Sequence, residues 1–106
     1  MLIRDLTEAE QSQLLACLLA AVDGPFFEER EFQTLFGLKR EEVRAVAESW
    51  SHLDQVDETV DTAISNSIAN LLGYPHGRDE EVFARTGLRR AELTDLLERW
   101  RQVAWR

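Results

Sequence analysis

Thr34-Leu35-Phe36-Gly37-Leu38-Lys39-Arg40-Glu41-Glu42-Val43 lies over Ala84-Arg85-Thr86-Gly87-Leu88-Arg89-Arg90-Ala91-Glu92-Leu93 when the chain is slid along itself by fifty positions, with no gap. Working outward from this stretch, Pro25 falls on Pro75 and Trp50 on Trp100, and nine identities accumulate between residues 2–51 and 52–101. Self-similarity at a fixed period means that one supersecondary unit has been used twice, and a unit this short cannot bury its own apolar face. The expectation is a single all-α domain, residues 1–106, made of repeat units 2–51 and 52–101 that share one core, either about a pseudo-twofold or as a stacked pair.

Apolar spacing places three helices in each unit. Leu14, Leu15, Leu18, Leu19 and Val22 form the inward stripe of a first helix over Glu8 to Val22, with Cys17 as a small core residue. Thr7 and Glu10 read as a capping box, in which the hydroxyl accepts from the third amide while the carboxylate reaches back to the cap amide. Asp23-Gly24-Pro25 stops this helix, glycine by tolerating a left-handed backbone and proline by lacking a donor. A short helix near Phe27 to Phe36 turns Phe32, Leu35 and Phe36 inward, and a third from Arg40 to Trp50 buries Val43, Val46, Ala47 and Trp50. The second unit repeats the plan with Asp57 as cap, a helix to about Leu72 carrying Val60, Ile64, Ile68 and Leu71, a short helix near Asp79 to Arg85, and a last helix from Arg90. Gly37 and Gly87, each closing a short helix before a new one begins, are expected in the left-handed region.

Composition narrows the function classes. Hydrophobic residues at 44% and charged residues at 30% are those of an ordinary globular chain, and no apolar run reaches the length of a membrane span. The first residues have neither a basic region nor a cleavable apolar segment, so a cytoplasmic location is expected. The net charge of −8 repels nucleic acid and anionic membranes and suits a protein partner. The lone Cys17, the two unaccompanied histidines His52 and His76, and the absence of a nucleophile-elbow serine predict no catalysis and no cofactor. Asp54, Asp57 and Asp61 crowd a helix start, where the macrodipole suits them without a cation, so no metal is expected.

The segments Phe32 to Val46 and Phe83 to Leu96 resemble a helix-turn-helix, through the turn glycines Gly37 and Gly87, the following Leu38 and Leu88, and the apolar pairs Val43/Val46 and Leu93/Leu96. The resemblance implies a recognition helix over Lys39 to Trp50 or Arg89 to Trp100 lying in a major groove. Two departures stand against it. Gln33 and Phe83 occupy a position usually held by alanine in that family, and Glu41, Glu42 and Glu48 would face phosphate.

The two units differ most at the break after their first helix. Ala16, Cys17, Ala20, Ala21, Gly24, Phe26 and Phe27 in one unit become Asn66, Ser67, Asn70, Leu71, Tyr74, His76 and Gly77 in the other. Asn66 and Asn70 are one turn apart and line one edge of their helix. Folding accounts for the residues the units share, whereas Asn66, Asn70, Tyr74, His76 and Arg78 are extra, and they form the predicted binding site. Trp105, in an arginine-rich end, adds the Trp–Arg pairing enriched at interfaces. The resulting expectation is a protein–protein interaction module, regulatory or inhibitory, monomeric or homodimeric, with an acidic face and a polar loop at 74–78. The alternative is a transcription-associated DNA-binding protein using segment 82–100.

Overall fold

The computed structural model describes residues 3–104, and among them the chain is all-α. Six α-helices follow in order: α1 (Glu8–Asp23), α2 (Glu29–Phe36), α3 (Arg40–Glu48), α4 (Glu58–Gly73), α5 (Asp79–Thr86) and α6 (Arg90–Ala104), with 3-10 turns at Ile3–Asp5 and Trp50–His52. Local chemistry sets these boundaries. Thr7 and Glu10 form the reciprocal cap of α1, at 3.0 Å and 2.9 Å, and Asp57 accepts the Val60 amide at the start of α4. Gly37 and Gly87 both terminate short helices at positive φ, 70° and 74°, where any side chain would be strained.

Gly24 corrects an expectation. Its φ is −79°, in the extended region, so it does not stop α1 by adopting a left-handed backbone. Glycine is needed there for space: a Cβ would collide with the Phe26 ring and the Ala20 carbonyl. Proline at position 25 then denies the chain its next donor.

The helices pack crosswise. α1 rests on α3, α4 and α5, while α4 rests on α1, α2 and α6, so the short helix of each half lies against the long helix of the other. Exchanging the halves maps α1–α3 onto α4–α6 and α2–α4 onto α5–α1, a reciprocal arrangement rather than an end-to-end stack. Leu14, Leu18, Phe32, Phe36, Val43, Ile64, Ile68, Leu71, Leu93 and Trp100 belong to one buried cluster drawn from both halves. A radius of gyration of 12.6 Å matches the roughly 13 Å expected of a single compact body of this length.

One core assignment fails on α1. Leu19 is 41% exposed, and Leu15 is half-buried but packs against the cluster, because α3, α4 and α5 cover a narrower arc of the helix than its apolar residues span. Trp50 lies beyond the end of α3, half-buried in a 3-10 turn, whereas Trp100 sits within the longer α6 at 1% exposure. The Trp100 indole N–H donates to Asp61 at 2.8 Å and to Ser65 at 3.1 Å, which satisfies the one polar atom of that buried ring.

Candidate functional site

The C-terminal turn of α2 exposes carbonyls that have no partner within the helix. Asn66 and Asn70, one turn apart on α4, reach across to them. The Asn66 amide donates to the Phe36 carbonyl at 2.7 Å, and the Asn70 amide donates to Leu35 at 3.1 Å and to the Asn66 carbonyl at 2.9 Å. Phe36 itself cannot supply a cap, since its ring is stacked on Phe32 with centroids 4.0 Å apart in the core. At the matching position on α5 stands Thr86, which closes its own turn. Its hydroxyl donates to Val82 at 2.8 Å and accepts the Leu88 amide at 3.1 Å.

Tyr74 and His76 complete this junction. The Tyr74 hydroxyl donates to Glu31 at 2.6 Å, and that carboxylate, with burial, pushes the phenol pKa upward. One His76 nitrogen, Nε2, donates to the Leu71 carbonyl at 2.8 Å at the end of α4, while Nδ1 accepts the Arg78 amide at 2.9 Å. The two rings pack on the phenylalanines of the first half, His76 on Phe26 at 5.1 Å and Tyr74 on Phe27 at 5.4 Å. Four of the five predicted site residues are thus brought together, each bonded within the protein. The fifth, Arg78, is exposed, and its guanidinium has no ion pair among the described residues. Trp105 lies outside the described residues.

A second set of helix-end contacts was legible only as an identity between the halves. Arg40 donates to the Val22 carbonyl at 2.8 Å and to Phe27 at 3.0 Å, pairs with Glu29 at 2.7 Å, and lies 4.4 Å from the centre of the Phe32 ring. Arg90 repeats the pattern more loosely, donating to Leu72 at 2.6 Å and approaching Asp79 at 3.4 Å. Both guanidiniums satisfy the last carbonyls of a long helix and oppose the negative end of its dipole.

Two surface clefts share five corresponding positions. Between α1 and α6 lies one of about 270 Å³, whose α6 wall is Glu92, Asp95, Leu96 and Arg99 and whose α1 wall is Glu10 and Gln13. Between α3 and α4 lies one of about 310 Å³, whose α3 wall is Glu42, Ala45, Val46 and Ser49, faced by Leu53, Asp57, Thr59 and Val60. Each α3 residue is fifty positions before its α6 counterpart, and Val60 corresponds to Glu10. The α1/α6 cleft is spanned by an ion pair between Arg99 and Glu10 at 2.7 Å. Glu10 is held below the ordinary carboxylate value by the Thr7 amide first and by Arg99 second. The α3/α4 cleft has Ser49 and Val60 at those two positions, so nothing spans it, and Ala45, Val46, Leu53 and Val60 give it an apolar floor.

Charge is concentrated around the open cleft. Glu41, Glu42 and Glu48 on α3, Asp54 in the connection, and Asp57, Glu58 and Asp61 at the start of α4 are accompanied by a single cation, Arg44, so residues 41–61 carry −6 of the total −8. Arg44 faces away to pair with Asp23 at 2.6 Å. Asp57 lines both this cleft and an adjoining one of about 220 Å³ shared with Glu58, Asp61 and the end of α6. A windowed count of charge would have found this concentration, whereas totals over the halves of the chain conceal it.

On α6 and at the residue before it the cations are matched by neighbouring helices: Arg89 with Glu80 at 2.8 Å, Arg90 with Asp79 and Arg99 with Glu10, leaving Arg101 as the α6 arginine without an ion pair among the described residues. Buried Cys17 has its thiol pKa pushed up to about 12 by loss of solvation, which leaves it unreactive. No group of three or more metal-ligating side chains is gathered among the described residues, and no helix there is long and apolar enough to cross a membrane. No family model, curated protein or solved structure matches the chain.

Proposed function

We propose that this protein is a protein-binding module whose working surface is the acidic face formed by α3, the 49–57 connection and the start of α4. The observation that supports it is the −6 charge of residues 41–61 around an unbridged cleft. Seven carboxylates against one cation within residues 41–61 create a field that raises the on-rate and selects partners of opposite sign. The rest of the surface is closer to balance, and its arginines pair with acids of the same helix, as Arg85 does with Glu81, or of neighbouring helices, as Arg89, Arg90 and Arg99 do.

Affinity capture of the tagged chain from its native host, with nuclease treatment and a salt series, tests this reading. A basic protein recovered in fixed stoichiometry, released as salt screens the surface and captured more weakly by a Glu41→Gln/Glu48→Gln/Asp54→Asn/Glu58→Gln variant, is the expected result. Partner retention that ignores both salt and these substitutions would contradict it. The loop at 74–78 is a second contact candidate through the unpaired Arg78, and Arg78→Ala tests it in the same experiment. DNA binding through 82–100 is the competing function, weakened by the ion pairs of Arg89, Arg90 and Arg99. A sequence-selective duplex shift abolished by Arg89→Ala would install it instead.

A further inference from the structure

We infer that the α3/α4 cleft is a receptor for an arginine side chain presented by a partner protein beside an apolar residue, in the position that Arg99 fills in the α1/α6 cleft. The inference rests on reading the acidic face as a binding surface, and it specifies the chemistry of the occupant.

The molecule contains its own precedent. In the α1/α6 cleft a guanidinium rising from position 99 crosses to a carboxylate on the facing helix at 2.7 Å, while Leu88 and Leu96 line the same cleft. In the α3/α4 cleft part of that wall is retained, since Glu42 matches Glu92 and Val46 matches Leu96, while Ala45 replaces Asp95 and both members of the bridge are gone: serine stands at position 49 and valine at position 60. Two carboxylates line the space. Glu42 Oε1 accepts the Lys39 amide at 2.9 Å and Asp57 Oδ1 accepts the Val60 amide at 2.8 Å, so each is oriented by its cap bond and keeps its second oxygen available. Planar guanidinium is suited to such a pair of acceptors and, being weakly hydrated, tolerates an apolar floor better than an ammonium does. Ala45, Val46, Leu53 and Val60 provide that floor, where a partner's aliphatic side chain would displace water from the cleft. The surrounding Glu41, Glu48, Asp54 and Glu58 steer a cationic segment toward it and repel an anionic one.

The test uses a fluorescein-labelled Ala-Leu-Arg-Ala repeat peptide and the same peptide with citrulline, its neutral isostere, in place of arginine. Fluorescence anisotropy gives the affinities, and methyl NMR maps the contacts. The parent protein is expected to bind the arginine peptide roughly tenfold tighter than the citrulline peptide, with shifts centred on Val46, Leu53 and Val60. Glu42→Gln/Asp57→Asn should remove about that tenfold preference. Both replacements retain a side-chain oxygen for the cap bonds, so the thermal melt should be unchanged. Glu48→Gln/Glu58→Gln removes the same charge from the acidic face outside the cleft and should change affinity by no more than about twofold.

Equal losses in the two double variants would overturn the cleft assignment while leaving the acidic face as the binding surface. Equal binding of the arginine and citrulline peptides would also overturn it, and the fate of the wider reading would then be set by the host capture. Shifts at Val46 and Leu53 that grow with protein concentration alone, together with dimers in sedimentation, would assign the cleft to a second copy of this chain and overturn the proposal.

Discussion

The α1/α6 and α3/α4 clefts share five matching lining positions, yet one is bridged by the protein's own Arg99 and Glu10 and the other, with Ser49 and Val60, is left open among carboxylates. The ends of the short helices show the same kind of divergence. α2 is closed from outside by Asn66 and Asn70 on α4, whereas α5 closes itself through Thr86. Comparing matched positions therefore separates polar groups that complete the fold from polar groups that remain available. The amides at 66 and 70 use their donors within the fold, whereas Glu42 and Asp57 beside Ser49 each give one oxygen to a helix cap and keep the other.

The largest effect should come from the pair of arginine clips. Arg40 has only 16% of its side chain exposed and satisfies carbonyls from two segments, while Arg90 is 54% exposed. Arg40→Ala should lower folding stability by about 3 kcal/mol, against about 1 kcal/mol for Arg90→Ala, since a charged donor lost from a part-buried site leaves its acceptors unsatisfied. Urea denaturation of both variants decides this, and equal losses would show that the two clips are energetically alike.

Next comes the closure of the short helices. Asn70→Ala should cost about 1.5 kcal/mol and Thr86→Val about 0.5 kcal/mol, because the first strands carbonyls beneath a packed junction and the second removes a half-buried local bond. Alanine at position 20 does not show that alanine is tolerated at position 70. Ala20 lies on α1, which packs against the self-capped α5, whereas Asn70 faces α2. Thermal melts that place Asn70→Ala at or above the parent would remove the amide from the folding account and return it to the candidate site.

The smallest effect concerns the bridged cleft. The folded pKa of Glu10 is depressed, so its contribution to stability is present above the ordinary carboxylate value of 4.5 and is lost as pH falls through the folded value. Arg99→Gln removes the second of the two main causes and should flatten that acid limb slightly, by about half a kcal/mol or less for a pair whose guanidinium is partly screened by solvent. Stability measured against pH, with the Glu10 carboxyl followed by NMR, gives both quantities. An unchanged titration in Arg99→Gln would mean that the bridge leaves the carboxylate indifferent.

Much of the architecture could be read from sequence because it depends on neighbours in the chain. The capping box at Thr7 and Glu10, the left-handed Gly37 and Gly87, and the stripe Val60, Ile64, Ile68 and Leu71 all follow from spacing and backbone sterics. What escaped depends on which helix covers which face. Apolar periodicity placed Leu19 inward, but coverage by α3, α4 and α5 leaves it at the surface. Gly24 answers to the Phe26 ring rather than to its own φ, and Arg40 answers to carbonyls on either side of the first break. The polar residues 66 to 78 were recognised as departures from the repeat, but their partners lie on α2 and in the first break, thirty or more positions away for Asn66, Asn70 and Tyr74. Ser49 is inconspicuous in the sequence because what distinguishes it is the arginine absent from its place.

The affinity of the arginine peptide for a Ser49→Arg variant, compared with Ser51→Arg, puts the difference between the clefts to its most direct trial. Both positions are exposed and both substitutions add one positive charge, but only position 49 lines the α3/α4 cleft. An introduced guanidinium should occupy that cleft as Arg99 occupies its own and weaken peptide binding by roughly tenfold, with Ser51→Arg within about twofold of the parent. Undiminished binding by Ser49→Arg, or an equal loss in both variants, would show that the open cleft is not where the cation goes.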